Sequence, residues 1–175
     1  MGNTASFDQL DQSEYAPYFQ KYIEMVPAGD IRESLNAQIQ RLNEFLAGVS
    51  NEDANKLHET YSWTIKQVIG HMIDTEKIFG CRAHRIACAD SAELPGFDQD
   101  AFVANSNYDD VTLDQLAKEF DVARATTNMF FNRLPEESWS HSGSCDGKQI
   151  SVRAIAFLLA GHLEHHLSIM KQRLA

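Results

Sequence analysis

Apolar residues recur at the three- and four-residue spacing of an amphipathic helix in four long stretches of the chain. The pattern predicts helices over residues 31–49, 65–89, 113–133 and 152–174. Their starts carry side chains suited to capping: Asp30 with Glu33, Thr64 with Gln67, Thr112 with Gln115, and Ser151 before the last helix. Pro135 stops the third helix. Before the first, residues 1–29 hold Phe7, Tyr15, Tyr18, Phe19, Tyr22, Pro17 and Pro27, and are expected to wrap the body as short helical pieces of a single 1–175 domain. Residues 90–111 join the second and third helices and contain Leu94-Pro95-Gly96-Phe97. At about 3.3 Å per extended residue, that segment can run the length of a helix of about 38 Å. Helices two and three can therefore run parallel, joined by a crossover. The turn-rich segment 142–148 includes an Asp146-Gly147 pair that suits a small hairpin. Strand content is otherwise minimal, and the fold class is an all-α four-helix bundle.

Composition narrows the function classes. Among 175 residues, 25 are acidic and 15 basic, for a formal charge of -10. That balance argues against a backbone-neutralising nucleic-acid surface and against an anionic membrane surface. No apolar run approaches a membrane span, the first residues lack a signal pattern, and the cytoplasm is the expected location. Gly2 and Ser6 fit a loose myristoylation pattern, which is short and common. Cys81, Cys88 and Cys145 lack metal-type spacing and read as reduced, partly buried thiols.

Histidine is the unusual residue: His162, His165 and His166 fall within five positions. Projected at about 100° per residue, His162 and His166 lie inside the apolar face of the fourth helix, His165 at its margin, and Glu164 away from it. Two buried imidazoles one turn apart need partners for their ring nitrogens, and a shared metal ion would serve both. Spacing alone does not separate that reading from hydrogen-bonded core histidines. His71 sits on one shoulder of the second helix's apolar face, so His71, His162 and His166 can meet if helices two and four are neighbours. The segment is not the His-Glu-x-x-His zinc-protease helix, because Leu163 follows His162.

Three stretches carry a family resemblance: Tyr61-Ser62-Trp63-Thr64-Ile65-Lys66-Gln67-Val68-Ile69-Gly70-His71 continuing to Glu76; Leu94-Pro95-Gly96-Phe97-Asp98; and Ile150-Ser151-Val152-Arg153-Ala154 running on to Gly161-His162 and His165-His166. In this order they resemble the DinB-like superfamily of metal-binding four-helix bundles over residues 30–173. The resemblance implies an up-down-down-up bundle with a long crossover between helices two and three. It also implies His71, His162 and His166 as metal ligands, with His165 flanking, although His165 with His162 is a geometric alternative. Activities implied are metal-dependent transfer of low-molecular-weight thiols and a thiol-dependent isomerisation.

Three neutral imidazoles leave a divalent ion an open position and suit zinc or nickel. Glu76 projects into the apolar stripe of helix two, where a carboxylate needs a partner; Arg82, Arg85 and Arg124 are candidates. It reads first as a structural ion pair and second as an acid/base group near the metal. Asp74 reads as solvated or as a support to His71. Trp63, Phe97, Phe102 and Trp139 read first as packing residues and second as a pocket lining, and Cys145 as an ordinary thiol. Three functions compete: a metal-dependent enzyme of small-molecule thiol chemistry, a non-catalytic metal-stabilised bundle, and a binding or dimerisation module with core histidines. Ile73 and Ile78, outside the central stripe of helix two, leave room for a homodimer face.

Overall fold

The structure, a computed structural model, describes residues 10–175; Gly2, Ser6 and Phe7 lie outside the described residues. Two single-turn 3-10 segments, Gln12–Glu14 and Pro17–Phe19, lead into α1 (Gln20–Ile23), α2 (Ile31–Leu46), α3 (Asn51–Asn55) and α4 (Ile65–Ala87). There follow α5 (Gln99–Asn105), α6 (Leu113–Asn132), the hairpin β1 (Ser142–Cys145) and β2 (Lys148–Ser151), and α7 (Val152–Arg173). The long helices α2, α4, α6 and α7 begin where the hydrophobic pattern predicts. Their ends fall slightly short of it, within the fraying of a last turn.

Caps explain the starts. Thr64 with Gln67 and Thr112 with Gln115 form reciprocal capping boxes, and Ser151 accepts from the Ala154 amide. Asp30 departs from the expected box. Its carboxylate accepts from the Arg32 amide and pairs with the Arg32 guanidinium, a nearer and stronger partner than a box with Glu33.

The helices form a ring in cross-section: α4 packs on α6 and α7, and α2 packs on the same two. Apolar side chains fill two clusters. One surrounds the first half of α7, under the hairpin and the segment preceding α2; the other lies between α2, α4, α6 and the second half of α7. Ile73 is fully buried in the second cluster, and Ile78, partly buried, packs against the first. Among the described residues, no helix is long and apolar enough to cross a membrane.

A charged network crosses the bundle between the clusters. Arg124 on α6 pairs with Glu76 on α4 at 2.5 Å, with side chains only 1% and 2% exposed. The same guanidinium donates to Gln38 Oε1 on α2 and to the Leu159 carbonyl on α7. Gln38 in turn donates to Glu164, which receives Arg41 through two hydrogen bonds. All four long helices are thus tied by one polar layer, and every charge in it has an opposite charge or a dipole beside it.

The segment between α4 and α6 is not a bare loop. It carries α5 and a 3-10 turn at Tyr108–Asp110. Leu94 bridges to the hairpin, with its amide on the Ser144 carbonyl at 3.0 Å and its carbonyl on the Asp146 amide at 2.9 Å. The hairpin turn is the expected Asp146-Gly147, both residues at positive φ (53° and 68°), as a tight two-residue connection requires. The hairpin and the segment joining α4 to α6 together form one wall of a cleft.

Candidate metal centre

His71 projects from α4, and His162 and His166, one turn apart, from α7. The α4–α7 contact brings the three rings together: Nε2 of His71 and Nε2 of His166 each stand 3.0 Å from Nε2 of His162. All three ligand atoms lie within 4.8 Å of one another, a convergence that no other trio of His, Cys, Asp or Glu makes among the described residues. His71 is 3% and His162 8% exposed, and His166 is half-buried.

Burial pushes the His71 ring down to about 4. Burial, and then repulsion from neighbouring rings, holds His162 and His166 well below the ordinary histidine range. All three are therefore neutral at pH 7. A ring nitrogen has a single in-plane site, occupied by either a proton or a lone pair. His162 Nε2 cannot meet two nitrogens at 3.0 Å with two well-directed hydrogen bonds, because one direction must serve both. A cation placed where the lone pairs converge removes that conflict. Imidazole nitrogens about 2.1 Å from a common ion stand about 3.0 Å apart when they subtend a right angle. The side chains therefore fit a divalent ion in spacing and protonation.

Glycines set this geometry. A Cβ on Gly70 would fall 2.2 Å from the Tyr108 ring, and one on Gly161 would fall 1.9 Å from the Tyr22 carbonyl oxygen. Each precedes a histidine of the cluster, so an aromatic residue from a connecting segment seats against each helix at that level. The Tyr22 ring lies 5.6 Å from His162 and 5.2 Å from His165. Burial raises the Tyr22 phenol to about 12, so it stays protonated. Trp63 covers His71 at 5.0 Å. His71 Nδ1 is buried with no hydrogen-bond partner among the described residues.

Other expected residues separate from the cluster. His165 turns its ring edge toward Tyr22, outside the converging trio. Glu76 belongs to the Arg124 pair, and Glu164 to Arg41 and Gln38. Asp74 is buried rather than solvated: burial raises its carboxyl, and a hydrogen bond with Tyr108 works against that rise. Helix projection misses this because nearly the whole turn around His71 is enclosed by neighbouring segments.

A cleft of about 430 Å³ opens beside the cluster, with His71 and His162 in its lining. Thr75, Phe79 and Arg82 continue the wall along α4, and Tyr18, Phe19 and Tyr22 close it from the segment before α2. Phe97 and Gly96 of the segment joining α4 to α6 and Cys145, Asp146 and Lys148 of the hairpin complete it. Of the aromatics considered from sequence, Phe97 reaches the cleft. Phe102 packs edge-on to Phe97, and Trp139 stacks on Phe131 in the core. Burial pushes the Cys145 thiol up, so it is not an activated thiolate; Cys81 and Cys88 are exposed. Sequence reasoning missed Tyr22, Gly161 and the cleft role of Arg82. The adjacent Gly-His pairs were the available signal for the first two.

An α-helical bundle with imidazoles from two adjacent helices converging beside a small-molecule cleft defines the class. The chain belongs to the DinB superfamily, whose model matches residues 34–170. It is 26% identical over 153 residues to a protein of Oceanobacillus iheyensis named "Putative metal-dependent hydrolase", covering 85% of this chain and 87% of that one. Its fold is similar to that of YfiT from Bacillus subtilis, described as a probable metal-dependent hydrolase with an unusual four-helix bundle topology. That match has TM-score 0.68 and 14% identity over 94% of this chain and 90% of the other. The mycothiol-dependent maleylpyruvate isomerase aligns with TM-score 0.66 and 12% identity, covering 94% of this chain and 62% of that one.

Proposed function

We propose that this protein is a divalent-metal-dependent enzyme of small-molecule thiol chemistry, of the thiol S-transferase type, with His71, His162 and His166 holding zinc or nickel. The observation that carries the reading is the convergence of three neutral Nε2 atoms beside the cleft. A divalent ion with three imidazole ligands and an open position lowers the pKa of a coordinated thiol or water, supplying a nucleophile at neutral pH.

The lining of the cleft favours a thiol over water. Hydrolysis calls for a group beside the ion that carries the water's proton on to the leaving group. Asp146 is the one carboxylate lining the cleft among the described residues, and it pairs with Lys148 at 2.9 Å. Glu76 and Glu164 are held in the buried network. The ion ionises either nucleophile by itself, and a thiolate that adds to an electrophile without expelling a basic leaving group needs no such relay. Tyr22, Phe79 and Phe97 give the reacting molecule apolar walls that exclude water. Hydrolysis is the second reading, favoured by the names of two relatives.

The same reading takes the bundle as up-down-down-up, with residues 88–112 as the crossover. Lys77 pairs with Glu119 and His84 stacks on Phe130, so later residues of α4 meet later residues of α6, which supports a parallel course for the two helices.

The test combines elemental analysis of tag-free protein with an assay of low-molecular-weight thiols against electrophiles. The expected result is stoichiometric zinc or nickel and metal-dependent thiol consumption that His162→Ala abolishes. Stoichiometric metal that raises the melting temperature without turnover would establish a metal-stabilised bundle instead. Absence of stoichiometric metal would favour a module with core histidines.

A further inference from the structure

We infer that Arg82 is the anchor for a carboxylate carried by the substrate, at the end of the cleft away from the histidines. This rests on the proposed metal-dependent reading for the identity of the reacting end, but the anchor itself stands on separate observations. Arg82 is 7% exposed, yet no carboxylate lies within salt-bridge distance of it among the described residues. Its guanidinium stands 4.6 Å from the Phe79 ring centre and 5.9 Å from that of Phe97. One terminal nitrogen donates to the Pro95 carbonyl at 2.5 Å. A guanidinium fixed by stacking and one neutral acceptor keeps its remaining donors open to the cleft, where a planar anion can take them.

The position follows from helical periodicity. His71, Thr75, Phe79 and Arg82 line one face of α4, and all four line the same cleft. The eleven residues from His71 to Arg82 span about 16 Å along the axis. The arginine side chain shortens that gap only in part, so an anion bound by Arg82 is held away from the histidine nitrogens.

Charge selects the anion. Lys148 and Asp146 at the rim pair with each other; Asp146 also feels the charge of Arg82, but among the described residues no carboxylate comes close enough to pair with that guanidinium. One planar monoanion matches one guanidinium, whereas a phosphate monoester would bring a second negative charge. The aromatic walls then contact an apolar body between the carboxylate and the reacting end. The substrate class is a small carboxylic acid with an apolar spacer.

The test uses 4-phenylbutyrate, 4-phenylbutyramide and 4-phenylbutyl phosphate, titrated by calorimetry into the protein as purified and after chelator treatment. The carboxylate is expected to bind at least about tenfold tighter than the amide in both preparations. Arg82→Gln removes the preference, and Arg82→Lys retains part of it. Equal binding of acid and amide overturns the inference. So does an acid preference that survives Arg82→Gln and disappears in His162→Ala, which would put the carboxylate on the ion. Tighter binding of the phosphate overturns the assignment to carboxylates. If the Arg82 variants fail to fold, the Nε–H resonance of Arg82 in the wild-type protein decides: it should shift with the carboxylate and not with the amide. An Arg82-dependent preference in a protein that binds no stoichiometric metal leaves the anchor standing and removes the metal-dependent reading.

Discussion

The main chain of Tyr22 lies directly on Gly161, with the Tyr22 carbonyl oxygen only 1.9 Å from where a Cβ on that glycine would be. The next residue of α7 is His162, whose ring stands 5.6 Å from the Tyr22 ring. The segment before α2 is therefore seated on α7 at the level of the histidine cluster, and a missing methyl group permits it.

Gly161→Ala is expected to destabilise the protein by about 1–3 kcal/mol, since main chain cannot give way as a flexible side chain can. The displaced segment should also become faster to cleave by trypsin at Lys21. Gly48→Ala is the control, because a Cβ there meets nothing nearer than the Phe45 carbonyl oxygen at 3.5 Å. Urea denaturation and limited proteolysis read the two effects.

Zinc affinity, measured by competition with a chromophoric chelator, should separate the histidines of α7. Loss of a residue that merely supports a ligand weakens metal binding by about 10–100-fold, so His71→Ala, His162→Ala and His166→Ala should each weaken it by more than that. His165→Ala should leave it unchanged, because that ring faces Tyr22 and lies outside the converging trio. An equal loss in His165→Ala would replace the proposed ligand set.

The pair of Glu76 and Arg124 should behave as a unit. Glu76→Ala leaves a guanidinium buried without its carboxylate and is expected to cost about 3–5 kcal/mol. Adding Arg124→Met should recover part of that loss, because the double variant buries no unpaired charge. A double-mutant cycle from chemical denaturation measures the coupling.

Acid should act through Glu14. Burial pushes its carboxyl up, but hydrogen bonds from Arg153, Ser151 and the Asp11 amide outweigh this and hold it below its ordinary 4.5. With the folded value depressed, its stabilisation is fully present above pH 4.5 and is lost as pH falls through the folded value. Glu14→Gln should therefore melt below wild type at pH 7. The gap should close as pH falls below 4.5, and a gap independent of pH would exclude this ion pair as its source.

Short-range preferences along the chain account for the local structure. Hydrophobic periodicity and the caps at Thr64, Thr112 and Ser151 placed the four long helices, because both signals act over a few neighbouring residues. Asp146-Gly147 similarly marked the hairpin through its own backbone preference. The meeting of His71 with His162 and His166 was legible as a geometric option, since the rings share the sides of helices that can be neighbours. The partners of the buried groups depend on packing between distant segments. Projection treats a helix as having one inner and one outer face, but the first half of α7 and the turn around His71 are enclosed on nearly every side. Asp74 is buried for that reason. Arg124, rather than Arg82 or Arg85, takes Glu76 because α6 lies beside α4 at that level. Arg82 is thereby left to face a cleft whose other walls come from the segment before α2, the α4–α6 connection and the hairpin. Those segments are far apart along the chain, and only their packing gives the cleft its chemistry.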